Sequence, residues 1–171
     1  MMYHAIERVD LMQPMEELRY LILASQREGN RLFTEALRPL HLTPSQAEAL
    51  RVLQDHDPLS LIALGDLLVC ERGSPSRLVQ GLVDRGLIER VPSSADKRMV
   101  TLTLTKKGRE MATKVSSVEA QFYQDTASLV KDASLSEILH LLWQFVEDKP
   151  AGKALSRRIS REREPGLFGD A

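Results

Sequence analysis

Two helix starts of the same chemistry, Thr43-Pro44 and Ser74-Pro75, are each followed by apolar residues at 3-4 spacing, and the second leads into the alternating stretch MVTLTLT. This succession constrains the fold more than any other feature of the 171-residue chain. A hydroxyl residue at an N-cap can accept from a first-turn amide, and a proline at the first helical position lacks an N–H that would go unpaired anyway. In LTPSQAEALRVLQDH the buried face is expected to be Ala47, Leu50 and Leu53, with Asp57-Pro58 as the stop. Leu59-Ser60-Leu61 reads as a very short strand and 62–69 as a short helix. In GSPSRLVQGLVDRGLIER, Ser74 is the expected cap, Leu78, Val79, Leu82 and Val83 form one apolar face, and Gly86 marks the C-terminal stop. Leu87-Ile88 opens a strand. Val100, Leu102 and Leu104 alternate with Thr101 and Thr103 in a second, half-buried strand, and Pro92-Ser93-Ser94-Ala95-Asp96 supplies the connection.

Long helical patterns flank this region. Leu18, Leu21, Ile22, Leu32, Phe33, Ala36, Leu37 and Leu40 predict an amphipathic helix over 14–39, with a separate short helix over 3–12 that Pro14 interrupts. Gly29 inside it costs about 1 kcal/mol. Thr105 caps a second long helix in which Met111, Val115, Val118, Phe122, Thr126 and Leu129 keep a heptad-like step. A last helix, 135–148, is apolar over more than one face, from Leu135 to Val146. A small monomer has little with which to enclose such a helix, so it and the two long helices are assigned to a subunit interface. Residues 151–171 read as a frayed tail.

The chain carries 43% hydrophobic and 27% charged residues and a formal net charge of −1, so overall charge gives no argument for a polyanion partner. Distribution does. From Arg72 to Arg109 there are nine Lys/Arg against Asp84, Glu89 and Asp96, a net of +6 inside an otherwise acidic chain. The single cysteine cannot form an internal disulfide, no apolar run approaches a membrane span, and MMYHAIERVD has no secretory apolar core, so a cytoplasmic location is expected.

Short helices followed by a two-stranded hairpin are the order of a winged helix-turn-helix. To bind DNA, such a unit must present small polar and basic side chains to a major groove and a second cationic element to the backbone or minor groove. Opposite its apolar face, helix 74–85 carries Ser74, Ser76, Arg77, Gln80, Gly81 and Asp84, and its Ser74-Pro75 start offers amides to a phosphate. Lys97 and Arg98 occupy the hairpin tip, and Arg72 precedes the helix.

Five motifs in chain order resemble the MarR family of bacterial transcription regulators. They are Leu42-Thr43-Pro44-Ser45-Gln46, Ser76-Arg77-Leu78-Val79, Gly86-Leu87-Ile88-Glu89-Arg90, Asp96-Lys97-Arg98 and Leu104-Thr105-Lys106-Lys107-Gly108. The resemblance implies a mostly α fold with a small β-hairpin wing, divided into N-terminal dimerisation helices (1–41), a winged helix-turn-helix domain (42–105), C-terminal dimerisation helices (106–150) and a tail (151–171). It implies a homodimer on a pseudo-palindromic DNA operator, with Arg98 of each wing in a minor groove and Asp96 bracing the wing through Arg90 or Arg98. Such proteins mostly repress, and many release DNA when a small aromatic acid or phenol binds between the dimer helices and the winged domain. Departures from the pattern are Pro75 in place of a β-branched residue, Gly81 in place of a long polar one, and His41 where glycine is frequent.

The residues leave other roles open. Arg19, Arg27 and Arg31 can meet a carboxylate ligand, pair across a dimer or stay solvated. LSRRISRERE either touches DNA backbone or forms a charged helical end. Cys70 reads as a small core residue, with a redox role as the alternative. Histidines 4, 41, 56 and 140 lack metal-ligand spacing, and no cofactor is expected. No catalytic constellation is visible, so an enzyme is not expected; a winged-helix protein-interaction adaptor is the other function class.

Overall fold

The computed structural model describes residues 4–69, 74–92, 100–127, 130 and 134–162, with side chains from 13 to 159. Helix α1 (His4–Leu37) is a single 34-residue helix that contains Pro14. The expected break at Pro14 is therefore absent. A proline removes one amide donor from the ladder, and helix-forming turns on both sides continue past that loss. A 3-10 turn (Arg38–Leu40) follows, ending at His41 with φ 52°. The left-handed backbone explains why glycine suits the place His41 occupies.

Helix α2 (Pro44–His56) has a full capping box. Gln46 N–H donates to Thr43 Oγ1 at 3.3 Å and Thr43 N–H to Gln46 Oε1 at 3.1 Å. Its buried face is wider than expected, adding Glu48, Ala49 and Val52 to Ala47, Leu50 and Leu53. Leu59 makes one antiparallel bridge with Leu102, which is the very short strand. Helix α3 (Leu61–Gly65), capped by Ser60, is shorter than the expected 62–69. After α4 (Pro75–Asp84), Gly86 turns the chain with φ 67° into β1 (Ile88–Pro92), which pairs antiparallel with β2 (Val100–Leu104) from Ile88↔Leu104 to Pro92↔Val100. Leu102 and Leu104 are buried while Val100 is exposed, so the hairpin is anchored at its base.

One core joins these elements. Leu37, Leu50, Leu53, Leu64, Val79, Leu82, Leu87, Ile88, Leu104 and Val115 are almost fully buried, with α2 at the centre. Helix α5 (Lys106–Ala127) starts with Gly108 N–H donating to Thr105 Oγ1 at 3.0 Å. A Cβ at Gly108 would overlap the Leu87 carbonyl, so this glycine lets α5 meet the α4–β1 turn.

Helix α6 (Leu135–Val146) buries none of its residues, and Leu135, Leu139, Leu141, Leu142 and Phe145 are exposed together with Leu21 and Ile22 of α1. The frayed tail is corrected for residues 150–162, which form helix α7 (Pro150–Glu162). Ala154 is buried, Arg158 pairs with Glu48 at 2.8 Å, and Arg157 reaches Asp66 at 3.9 Å. These partners are far away in sequence, so local composition could not reveal them.

Candidate nucleic-acid interface and adjoining cavity

Val79 and Leu82 pin α4 to the core and leave Ser76, Arg77, Gln80 and Asp84 exposed, as the 3-4 spacing requires. Ser74 holds the N-cap position, but its hydroxyl lies 2.9 Å from that of Ser76 and caps no amide. The expected set of free amides also shrinks. Pro75 has none, and those of Arg77 and Leu78 donate to the Ser74 carbonyl at 3.0 and 3.2 Å, which leaves Ser76 as the remaining first-turn donor. A Cβ at Gly81 would point at Gln46 of α2, 3.7 Å away, so that position faces a neighbouring helix more than an open surface.

The helix and the base of the hairpin are joined by a chain of polar contacts. Arg90 Nη1 on β1 donates to Gln80 Oε1 at 2.9 Å, and Gln80 Nε2 donates to Asp84 Oδ1 at 2.6 Å. Gln80 is thereby oriented, and Arg90 braces the hairpin base against α4. Arg85, which the sequence reading did not single out, donates to the carbonyls of His41 at 2.8 Å and Leu40 at 3.3 Å. It fastens the end of α4 to the turn before α2. Arg72, Asp96, Lys97, Arg98 and Cys70 lie outside the described residues.

A cavity of about 350 Å³ is bounded by α1, α2, α5 and α7. Phe33 and Phe122 in its lining touch each other with ring centroids 5.2 Å apart, and Tyr123, Glu48, Glu119 and Arg158 also line it. Glu48 is buried; its Oε1 accepts the Val69 amide and Arg158 Nη1, each at 2.8 Å. Glu119 Oε2 accepts Arg51 Nε at 3.0 Å. Burial pushes the Glu119 carboxyl above its ordinary value, more than Arg51 and Arg158 pull it down, and Asp55 adds to the rise.

None of the three arginines considered for a ligand lines this cavity. Arg19 stacks over Tyr20 at 4.2 Å, Arg27 is exposed, and Arg31 is held by Glu28 and Glu35 on the same helix face. The hydrogen bond from Arg31 keeps the Glu28 carboxyl below its ordinary range. The arginine in the lining is Arg158, and the only sequence signal for it was the charge of the segment 155–164. Among the described residues no cluster of His, Cys, Asp and Glu is arranged to hold a metal, and no helix is long and apolar enough to cross a membrane.

Residues 41–99 match the model of the MarR family. The organic hydroperoxide resistance transcriptional regulator of Bacillus subtilis is 31% identical over 101 residues, covering 59% of this chain and 69% of that protein. The multiple antibiotic resistance protein MarR of Escherichia coli is 31% identical over 99 residues, covering 58% and 69%. A crystal structure of a cysteine-to-serine mutant of E. coli MarR complexed with operator DNA superposes with a TM-score of 0.64 at 26% identity, over 79% of this chain and 95% of that one. With the helical order, the two-stranded wing and these similarities together, the chain belongs to the MarR family of winged-helix transcriptional regulators and is not an enzyme.

Proposed function

We propose that this protein is a homodimeric, sequence-specific DNA-binding repressor released by a small aromatic ligand in the cavity between α1, α2, α5 and α7. The observation that carries the reading is the outer face of α4, where Ser76, Arg77 and Gln80 are presented together and Gln80 is oriented by Arg90. In a major groove, Gln80 and Arg77 suit base edges and Ser74 and Ser76 suit phosphate oxygens. Arg72 and Lys97 add backbone contacts, Arg98 enters the minor groove, and Asp96 orients the wing tip. The operator-bound E. coli MarR structure supports this placement by its similarity.

The exposed apolar faces of α6 and α1 supply the dimer interface, since soluble proteins rarely leave so many large apolar side chains on adjacent helices in water. Two recognition helices then meet half-sites about one helical turn apart. The cavity touches both the long helices and α2, so a ligand there changes the angle between the dimer helices and the winged domain.

The test is fluorescence anisotropy on the DNA upstream of the protein's own coding region, as a salt series. Affinity falls steeply with salt, and Arg77→Ala lowers the magnitude of the log–log slope by about 1 if it meets a phosphate, or relaxes sequence preference if it meets a base. Arg98→Ala weakens binding without unfolding the chain. Absence of any complex at low salt would favour the protein-interaction adaptor.

A further inference from the structure

Helix α7 is held in place by contacts along its inner side. A Cβ at Gly152 would overlap the Val146 carbonyl at the end of α6, Ala154 is buried, and Arg158 pairs with Glu48 at 2.8 Å. With that side fixed, the helical period sets Lys149, Lys153 and Arg157 in a row elsewhere on the helix, one per turn. The Lys153 amide donates to the Lys149 carbonyl at 2.9 Å, which puts Lys149 at the head of that row. All three are exposed, and they line a groove of about 600 Å³ together with Gly65 and Asp66 at the end of α3. Arg157 Nη1 lies 3.9 Å from Asp66 Oδ2 and donates to the Asp66 carbonyl at 3.4 Å. Asp66 is the one acid among the lining residues, so three cations against it leave a net charge of +2. Glu147 and Asp148 precede the row and do not line the groove. Lys149 and Lys153 have no ion-pair partner among the described residues.

We propose that this groove is a second DNA contact, in which Lys149 and Lys153 bind phosphates of the operator backbone beside each recognition helix. It rests on the reading of α4 as that helix. In a helix-turn-helix the first helix crosses the sugar-phosphate backbone while the second enters the major groove. Here α3 is the first helix, and Gly65 near its end sets the groove against the start of the second: a Cβ on Gly65 would stand 3.3 Å from Pro75 Cγ. The lysines are therefore continuous with the surface that α4 presents. Arg157 has a different part, since it offsets the carboxylate that would repel a phosphate. Leu68 is buried and no aromatic side chain lines the groove, which leaves charge as the means of attraction. A phosphate backbone needs no more than that. Lysine suits it as a compact charge on a long stem, able to follow a backbone without fixed geometry.

The full-length protein is titrated by fluorescence anisotropy with the upstream operator duplex and with a scrambled duplex of the same length, each over a salt series. The double variant Lys149→Ala, Lys153→Ala gives up four phosphates per dimer, so the magnitude of its log–log salt slope falls by about 3–4. Both duplexes weaken by the same factor, because a backbone contact carries no sequence preference. The pair Lys149→Arg, Lys153→Arg restores the slope, and an unshifted melting profile in both variants shows that α7 is still docked. An unchanged slope, a loss confined to the operator, or a loss that the arginine pair does not restore overturns the proposal. If Arg77→Ala weakens binding while the lysine variant does not, α4 remains the recognition helix and the second contact falls. If the wild type binds neither duplex at low salt, both readings fall together.

Discussion

Arg158 Nη1, near the end of the chain, donates to Glu48 Oε1 at 2.8 Å, and the same oxygen accepts the Val69 amide at 2.8 Å. One buried carboxylate thus ties together the C-terminal helix, the central helix of the winged domain and the segment that leads toward α4. Helix α7 becomes part of the domain's support through this contact, and it closes one side of the cavity.

Removing the guanidinium takes the Arg158 contact away from a buried carboxylate that still accepts the Val69 amide. Arg158→Ala is therefore expected to destabilise the fold by about 1–3 kcal/mol, at the lower part of the range for buried pairs because Arg158 itself is 29% exposed. Arg158→Lys recovers part of the loss. Urea unfolding of the three proteins checks this, and an unchanged midpoint in Arg158→Ala would remove α7 from the structural account.

Gly108→Ala places a methyl group against the Leu87 carbonyl at the start of α5. The neighbour is backbone and cannot swing aside, so α5 must shift relative to the α4–β1 turn. The expected loss is about 1–3 kcal/mol despite the better helix propensity of alanine. Equal or higher thermal stability of the variant would mean that α5 approaches this turn less closely than described.

Phe145→Asp and Leu142→Glu put charges into the exposed apolar face of α6. If that face is the dimer interface, each variant sediments as a monomer at concentrations where the wild type is dimeric. Operator affinity then falls by about two orders of magnitude or more, because one half-site alone must hold the complex. Variants that remain dimeric would place the interface elsewhere.

Glu119 makes a pH-dependent contribution whose sign follows from its raised carboxyl. The folded state holds the proton more tightly than the unfolded chain, so the stabilising contribution is complete below the ordinary value of 4.5 and is lost as pH rises through the folded value. Arg51, Arg158 and Asp55 are the charged groups facing it. Glu119→Gln stays neutral, so its stability relative to wild type rises with pH across that window and then levels off. Paired urea titrations from acid to neutral pH test this; a difference that stays flat or falls contradicts the assignment.

Much of the fold was legible because it rests on short-range chemistry. Thr43 and Gln46 cap each other across three residues, Val79 and Leu82 define the inner face of α4, and Leu102 and Leu104 alternate with threonines into a strand of period 2. The outward set Ser76, Arg77 and Gln80 followed from the same periodicity. Pro14 does not end the helix, because one missing amide removes a single bond from a ladder that the turns on both sides continue.

By itself the sequence determined the caps, the buried helix faces, the hairpin alternation and the order of elements, since each depends on residues only a few positions apart. Tertiary structure alone decided that Arg90 orients Gln80, that His41 adopts a left-handed turn under Arg85, and that Arg158 reaches Glu48. Those partners are set by where whole elements pack, and a carboxylate in one helix carries no local mark of the arginine that will neutralise it from another.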